Sequence, residues 1–240
     1  MTAKSGYHKK MWNISRRLTL RNGEVMKRCV IVGAGELKVS SIPVEKEDFV
    51  IAADGGYAYC KRLGIVPDLI LGDFDSVKEE DAEQIAQISR ICPDSVVILP
   101  AEKDDTDMLA AIRMGLSEGC RDFRIYAAQG GRLEHTIANL QCLIYLKECG
   151  AAGCLVDETS TVFIIRDETV WFREDAAGYL SLFSMGEKAE GVTIRNMKYE
   201  LDEAEVTNSY PIGISNEFIG KRASVTVKKG TLAAILSHKD

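Results

Sequence analysis

From residue 29 to about residue 156, short aliphatic runs alternate with stretches of helical periodicity. The runs at 29–32, 49–53, 69–71, 96–99 and 123–127 are apolar and rich in branched residues, as strands buried on both faces of a parallel sheet must be. Between them, residues 106–117 carry Leu109, Ile112 and Leu116 at helical spacing, with Gly119 as a stop. Residues 132–149 carry Leu133, Ile137, Leu140 and Ile144, and Gly150 ends the pattern. Residues 78–90 read as a more charged surface helix. Such alternation predicts a doubly wound, mostly parallel sheet with helices on both faces.

After about residue 159 the texture changes. Helical periodicity ends, and strand-like runs occur at 162–165, 170–172, 179–183, 191–194, 223–227 and 232–236, several separated by glycine-containing turns. In 223–227, Ala223, Val225 and Val227 alternate with Ser224 and Thr226, the period-2 mark of an antiparallel sheet with one wet face. The prediction is an α/β domain at 26–158 followed by a small antiparallel β-sandwich at 159–240.

Composition excludes more than it identifies. The 240 residues are 46% hydrophobic and 28% charged, as in an ordinary globular protein, which rules out collagen, coiled coil and wholesale disorder. No apolar run approaches the roughly 18–20 residues of a bilayer span, so no membrane partner is expected. The net charge of −6 conceals an asymmetry: residues 1–25 hold six Lys/Arg and one Glu, so the remainder is markedly acidic. An acidic body argues against a nucleic-acid partner, because phosphate backbones are held mainly by clustered Lys and Arg. The leader lacks the apolar core of a secretory signal and reads as a disordered basic extension, with Met26 as a candidate start. Seven cysteines without a C-x-x-C pair, several inside apolar runs, fit reduced thiols in a cytoplasmic protein rather than a disulfide framework or zinc site.

In open α/β sheets ligands bind beyond the carboxyl ends of the strands, so the residues just past each run are informative. The first run ends in Gly33-Ala34-Gly35, with Lys38 where a dinucleotide fingerprint needs its third glycine; a tight turn is the better reading. The second leads into Asp54-Gly55-Gly56, and the third into Gly72-Asp73-Phe74-Asp75-Ser76. The fourth leads into Lys103-Asp104-Asp105-Thr106-Asp107, and the fifth into Gln129-Gly130-Gly131-Arg132. Taken singly these are ordinary turn formers and helix caps, Asp104 or Asp105 among them. Four in succession at one edge read instead as a metal–polyphosphate site. Mg²⁺ takes one or two carboxylates and completes its shell with water and phosphate. Glycine pairs and helix N-termini admit phosphate oxygens, and Lys103 supplies a point charge. Arg132, His135 and Asn139 lie at i, i+3 and i+7 on the last helix, where they bind phosphate or nucleotide or else line a domain interface.

This series of motifs, with Gly130-Gly131-Arg132-Leu133-Glu134-His135 completing it, resembles the thiamine pyrophosphokinase family in order and spacing over about residues 28–238. The resemblance implies an α/β catalytic domain followed by a β-sandwich, a homodimer with substrate bound between domains of different subunits, and transfer of the pyrophosphoryl group of ATP to the hydroxyl of thiamine with release of AMP. By position it implies Asp73, Asp75 and Asp107 as holders of Mg²⁺ with the ATP phosphates, supported by Asp54. Lys103 and Arg132 would neutralise phosphate charge. Gly55, Gly56, Asp104, Thr106, Gly131, His135 and Asn139 would complete the ATP site. Ser215-Asn216 matches a Ser-Asn pair that contacts the aminopyrimidine, and Tyr199 stands where an aromatic residue stacks on thiamine. Glu134 departs from the pattern, which has Asp before the His, and the basic leader has no counterpart in it. Two other readings compete. One is a haloacid-dehalogenase-type phosphatase with Asp73 as nucleophile, weakened because only Val77 stands where that motif has Thr or Val and because the strand is third rather than first. The other is a non-catalytic thiamine- or nucleotide-binding protein.

Overall fold

The computed structural model describes residues 26–75, 77–100 and 104–237; the expectations for residues 1–25, Ser76 and Lys103 therefore fall outside the described residues. The chain divides after Glu158 into two compact units.

The first unit is built on six parallel strands: β1 (Arg28–Val32), β2 (Phe49–Ala53), β3 (Leu69–Gly72), β4 (Val96–Ile98), β5 (Asp122–Tyr126) and β6 (Ala152–Val156), ordered β6-β5-β1-β2-β3-β4. Cys29 to Val32 and Val50 to Ala53 are buried without interruption, as strands covered on both faces must be. From β1 the chain steps outward through β2, β3 and β4, then returns to the other side of β1 for β5 and β6. The direction of winding thus reverses between β1 and β5. Four helices connect the strands: α1 (Gly56–Leu63), α2 (Glu79–Ile91), α3 (Asp107–Ser117) and α4 (Leu133–Glu148). Because parallel crossovers are right-handed, the reversal puts α1 and α2 on one face and α3 and α4 on the other. Lys61 of α1 reaches Glu80 (2.8 Å) and Asp81 (3.1 Å) of α2, joining that pair.

The second unit is two antiparallel sheets. One orders β12 (Gly213–Glu217), β9 (Tyr179–Ser184), β14 (Thr231–Ser237) and β7 (Ser160–Arg166). The other orders β11 (Leu201–Thr207), β10 (Lys188–Arg195), β13 (Ala223–Thr226) and β8 (Thr169–Phe172). Leu180, Leu182, Ala234 and Leu236 of the first and Val192, Ile194 and Val225 of the second are all buried, and Phe163 meets Phe172 with ring centroids 6.4 Å apart. The architecture is the expected α/β unit followed by a β-sandwich.

Several expectations need correction. Helix α1 has no counterpart among the predicted elements. It is eight residues long, opens on Gly55-Gly56 and has no side-chain cap, so nothing marks its start except glycines that read as a turn. Strands β6, β11 and β12 are likewise additions. β11 carries three acidic residues in seven and is held by its register against β10, not by propensity. On α4 the buried positions are Asn139, Cys142, Leu143 and Leu146, while Leu133 and Ile137 of the predicted stripe are exposed at 70% and 50%. On α3 they are Met108, Ala111, Ile112 and Gly115, so only Ile112 of the predicted stripe is fully covered. Two of these positions are small, and at Gly115 the reason is close approach: a Cβ there would come within 2.7 Å of the Phe123 ring. Ser224, expected on a wet face, is buried because β13 lies between β10 and β8, with Trp171 directly opposite it.

Candidate functional site

The parallel register brings the strand ends to one level. Ala53 pairs with Leu71, Gly72 with Ile98 and Val32 with Tyr126, so the loops beyond them emerge side by side. Asp54 donates its backbone N–H to Leu71 O (2.7 Å), and Leu99 donates to Gly72 O (2.9 Å). Gly72 permits this closeness, since a Cβ there would stand 3.0 Å from Asp54 Cα. Asp54 therefore sits at the root of the Asp73–Asp75 loop. In that loop the Asp75 N–H donates to Asp73 Oδ1 at 3.2 Å, fixing the two carboxylates as one turn. Asp54 and Asp73 are half-buried and Asp75 is exposed.

The reversal point between β1 and β5 is packed by glycines. Gly33 N–H donates to Tyr126 O (2.9 Å) and Gly35 N–H to Ala127 O (2.8 Å); a Cβ on either glycine would lie within 2.8 Å of Ala127 O. Gly56 is tighter still, with its Cβ position 1.9 Å from Val32 O, so α1 starts directly against the end of β1. Tyr59 of α1 donates its hydroxyl to Gly35 O (2.9 Å). Gly33-Ala34-Gly35 is thus more than the tight turn expected from sequence: it braces β5 and α1 together. Neither that role nor Tyr59 carries a sequence signal, because both depend on contact across the sheet.

Backbone strain gathers at the same edge. Asp54 (φ 51°), Phe74 (φ 59°) and Ala127 (φ 51°) are left-handed at the ends of β2, β3 and β5, and in the second unit so is Ser215 (φ 56°). Of the seven such non-glycine residues among those described, three lie just past the carboxyl ends of parallel strands, and two, Asp54 and Ser215, are themselves candidate site residues. Each costs of order 1–2 kcal/mol, and such residues persist where the surrounding structure over-determines them. Gly130 (φ 78°) and Gly131 (φ 67°) supply the same conformation without a Cβ penalty.

The remaining predicted residues divide. Thr106, not Asp104 or Asp105, caps α3, accepting from Leu109 N–H at 3.2 Å; Asp105 pairs with Arg113, and Asp107 opens the helix. Asp104 is exposed. Arg132 donates Nε to Glu134 (2.6 Å). Glu134's own backbone N–H, and then that guanidinium, hold its carboxyl below the usual range. Arg132 and His135 are exposed, whereas Asn139 is buried and donates Nδ2 to Ala128 O at 2.8 Å. The expected single face of α4 is thus split: two residues face solvent and the third ties the helix to the β5 loop.

In the second unit, Tyr199 is exposed and Asn216 is buried beside it, accepting from Tyr199 N–H (3.0 Å) and donating to Tyr199 O (2.6 Å). Ser215 is exposed, and its backbone N–H donates to Ser181 Oγ (3.0 Å).

The donor set suits a hard cation. Asp73 and Asp75 on one turn offer oxygen ligands only, in the number that Mg²⁺ takes when phosphate and water complete its shell. Among the described residues no group of three or more His, Cys, Asp or Glu side chains is placed to hold a metal ion.

Two family models match the chain: the thiamin pyrophosphokinase catalytic domain over residues 43–152 and the thiamin pyrophosphokinase vitamin B1 binding domain over residues 168–232. A thiamine pyrophosphokinase of Bacillus subtilis is 27% identical over 188 residues, covering 78% of this chain and 86% of that protein. The crystal structure of thiamine pyrophosphokinase from Bacillus subtilis superposes with a TM-score of 0.78 at 25% identity, covering 89% of this chain and 100% of that one. That from Geobacillus thermodenitrificans gives 0.75 at 27% identity, covering 89% and 98%. The Candida albicans thiamin pyrophosphokinase, at 13% identity and a TM-score of 0.67 over 88% and 90% of the two chains, shares the fold. With both domain models matched in order, the chain belongs to the thiamine pyrophosphokinase family of enzymes.

Proposed function

We propose that the protein transfers the β,γ-pyrophosphoryl group of ATP to the primary hydroxyl of thiamine, giving thiamine diphosphate and AMP. The observation that supports this reading is that β2, β3, β4 and β5, whose carboxyl ends lead into Asp54, Asp73–Asp75, the α3 start and Gly130-Gly131-Arg132, run parallel in one sheet, in a chain that matches both family domains in order. The hydroxyl oxygen attacks the β-phosphorus in line, the bond from that phosphorus to the oxygen of AMP breaks, and the hydroxyl proton leaves to a carboxylate or water.

Charge concentrates on phosphoryl oxygens in such a transition state, so positioning and electrostatics supply most of the catalysis. Asp73, Asp75 and Asp107 would hold Mg²⁺. Bound there, the ion would supply positive charge to offset that of the phosphates. Asp54 supports the Asp73 turn from the adjacent strand. Lys103 and Arg132 offset phosphate charge. Gly55, Gly56, Asp104, Thr106, Gly131, His135 and Asn139 shape the ATP site, Asn139 and Thr106 by bracing the backbone around it. Tyr199, Ser215 and Asn216 form the thiamine subsite. Residues 26–158 form the ATP- and Mg²⁺-binding domain and residues 159–240 the thiamine-binding domain. A homodimer with its active site at the subunit interface, working in the cytoplasm, belongs to the same proposal. No helix among the described residues is long and apolar enough to cross a membrane.

Incubation with ATP, Mg²⁺ and thiamine tests the reading: AMP and thiamine diphosphate are expected in equal amounts. ADP as the nucleotide product refutes it, and a phosphoenzyme trapped on Asp73 would transfer the assignment to a phosphatase.

A further inference from the structure

The Asn216 side chain has little left to offer a ligand. An Asn amide has two acceptor positions on its oxygen and two N–H donors. Here Oδ1 accepts from Tyr199 N–H and Glu217 N–H, both at 3.0 Å, and Nδ2 donates to Tyr199 O at 2.6 Å. Both acceptor positions and one donor are consumed, and the residue is only 6% exposed. The amide instead closes both backbone polar groups of Tyr199 at once, as a paired strand would. The flanking residues continue that pairing: Lys198 N–H donates to Glu217 O (3.0 Å), and Met197, which is buried, bridges to Phe218. The Tyr199 ring is nonetheless 59% exposed, with Lys198 Nζ 5.5 Å from its centroid and held by Glu217 at 2.9 Å. A large aromatic ring directed into solvent from a backbone fixed at both ends is a rigid stacking platform, and a flat heteroaromatic ligand is what such a platform takes.

We propose that Asn216 is a positioning residue that acts through Tyr199, fixing its ring as the stacking surface for the heteroaromatic part of the substrate, and that it makes no essential contact with the substrate itself. This rests on the thiamine reading above and departs from it on one point, since family position makes Asn216 a direct aminopyrimidine contact. Ser215, exposed and held in a left-handed backbone by the strand that buries Asn216, is the member of the pair presented to the ligand.

A double-mutant cycle in AMP release separates the two roles. Asn216→Ala is expected to raise KM for thiamine about tenfold with kcat within about threefold, because a loosened platform costs ground-state binding. In Asn216→Ala/Tyr199→Ala, KM is expected to stay within about twofold of Tyr199→Ala alone, since residues acting through one another are not additive. KM effects that multiply overturn the proposal, because they require an independent contact. Amide hydrogen exchange reads the clamp without substrate: in Asn216→Ala the Tyr199 N–H is expected to exchange at least tenfold faster while the β9 and β14 amides stay protected. An unchanged Tyr199 rate overturns the proposal even if thiamine turns out not to be the substrate. Absence of thiamine-dependent AMP release with Tyr199 exchange accelerated refutes the function and leaves the clamp standing. If Asn216→Ala fails to fold, Asn216→Ser, which keeps a small uncharged polar side chain but cannot reach both backbone groups of Tyr199, gives the same readouts.

Discussion

Replacing Gly56 by alanine is the sharpest test of how the carboxyl edge is assembled. The added methyl carbon would stand 1.9 Å from Val32 O, 2.7 Å from Val32 C and 3.0 Å from Gly33 O, all backbone atoms at the end of a central strand. Relieving the first contact requires a separation of about 1.5 Å, because non-bonded heavy atoms settle near 3.5 Å. No side chain can yield, so α1 must move away from β1 and take the Asp54–Gly55 turn with it. Overpacking of this kind costs about 1–3 kcal/mol, and the rigid partner places this case at the upper end. Alanine's better helix propensity returns about 0.5–1 kcal/mol. The net loss of about 2 kcal/mol corresponds to a fall in Tm of roughly 4–8 °C for a chain of this size. Shifting Asp54 against the Asp73 turn should also lower kcat/KM for ATP by about tenfold or more. Thermal melting and AMP release measure the two effects. Gly186→Ala is the control: its Cβ meets no atom within 4 Å, and a change within about 0.5 kcal/mol is expected. A Gly56→Ala protein that melts at or above wild type with undiminished turnover would refute the close packing of α1 on β1.

Three further predictions concern charge and titration. Asp73→Asn should lower kcat by about 10²–10³-fold, the loss typical of one preorganised electrostatic contact, and near-normal turnover at saturating Mg²⁺ would remove Asp73 from the metal site. Of the seven cysteines only Cys92 and Cys149 are exposed, and burial pushes Cys60 up to about 12 and Cys142 up to about 11 from an ordinary 9.0. At pH 8 a thiol reagent should therefore modify Cys92 and Cys149 alone in the native protein; mass spectrometry showing Cys60 or Cys142 labelled at a comparable rate contradicts this. The raised folded values make these two thiols' contribution to stability fully present below pH 9. It is lost as pH rises from 9 toward 11–12, by about 1.4 kcal/mol per unit for each thiol that ionises only when unfolded. A denaturation midpoint whose fall above pH 9 is not lessened by Cys60→Ala would show that the Cys60 thiol is not the group responsible.

The strand runs and the order of the edge motifs are legible in the sequence because both are local. β2 coincides with its predicted bounds, since continuous burial leaves an unbroken apolar run. α1 is not legible, because eight residues opening on two glycines carry no side-chain cap and bury only Gly56, Tyr57 and Cys60, with no aliphatic stripe among them. The predicted α4 stripe of Leu133, Ile137, Leu140 and Ile144 counts only aliphatic side chains, whereas Asn139, a polar residue, faces inward to meet Ala128 O. Hydrophobicity cannot announce a buried hydrogen bond.

The sequence by itself determined the content of the site: carboxylates and glycines at successive strand ends, and a family signature in their spacing. Parallel strands all end at one edge of their sheet, so the common edge followed from the predicted strand direction alone. Tertiary structure alone decided which of these residues touch one another and which hold the others in place. Gly56 is there for the carbonyl of Val32, Asn139 for that of Ala128, and Asn216 for the backbone of Tyr199. Each of those partners lies between 11 and 24 residues away along the chain, and an interaction set by close approach in space leaves no periodic trace in a linear pattern.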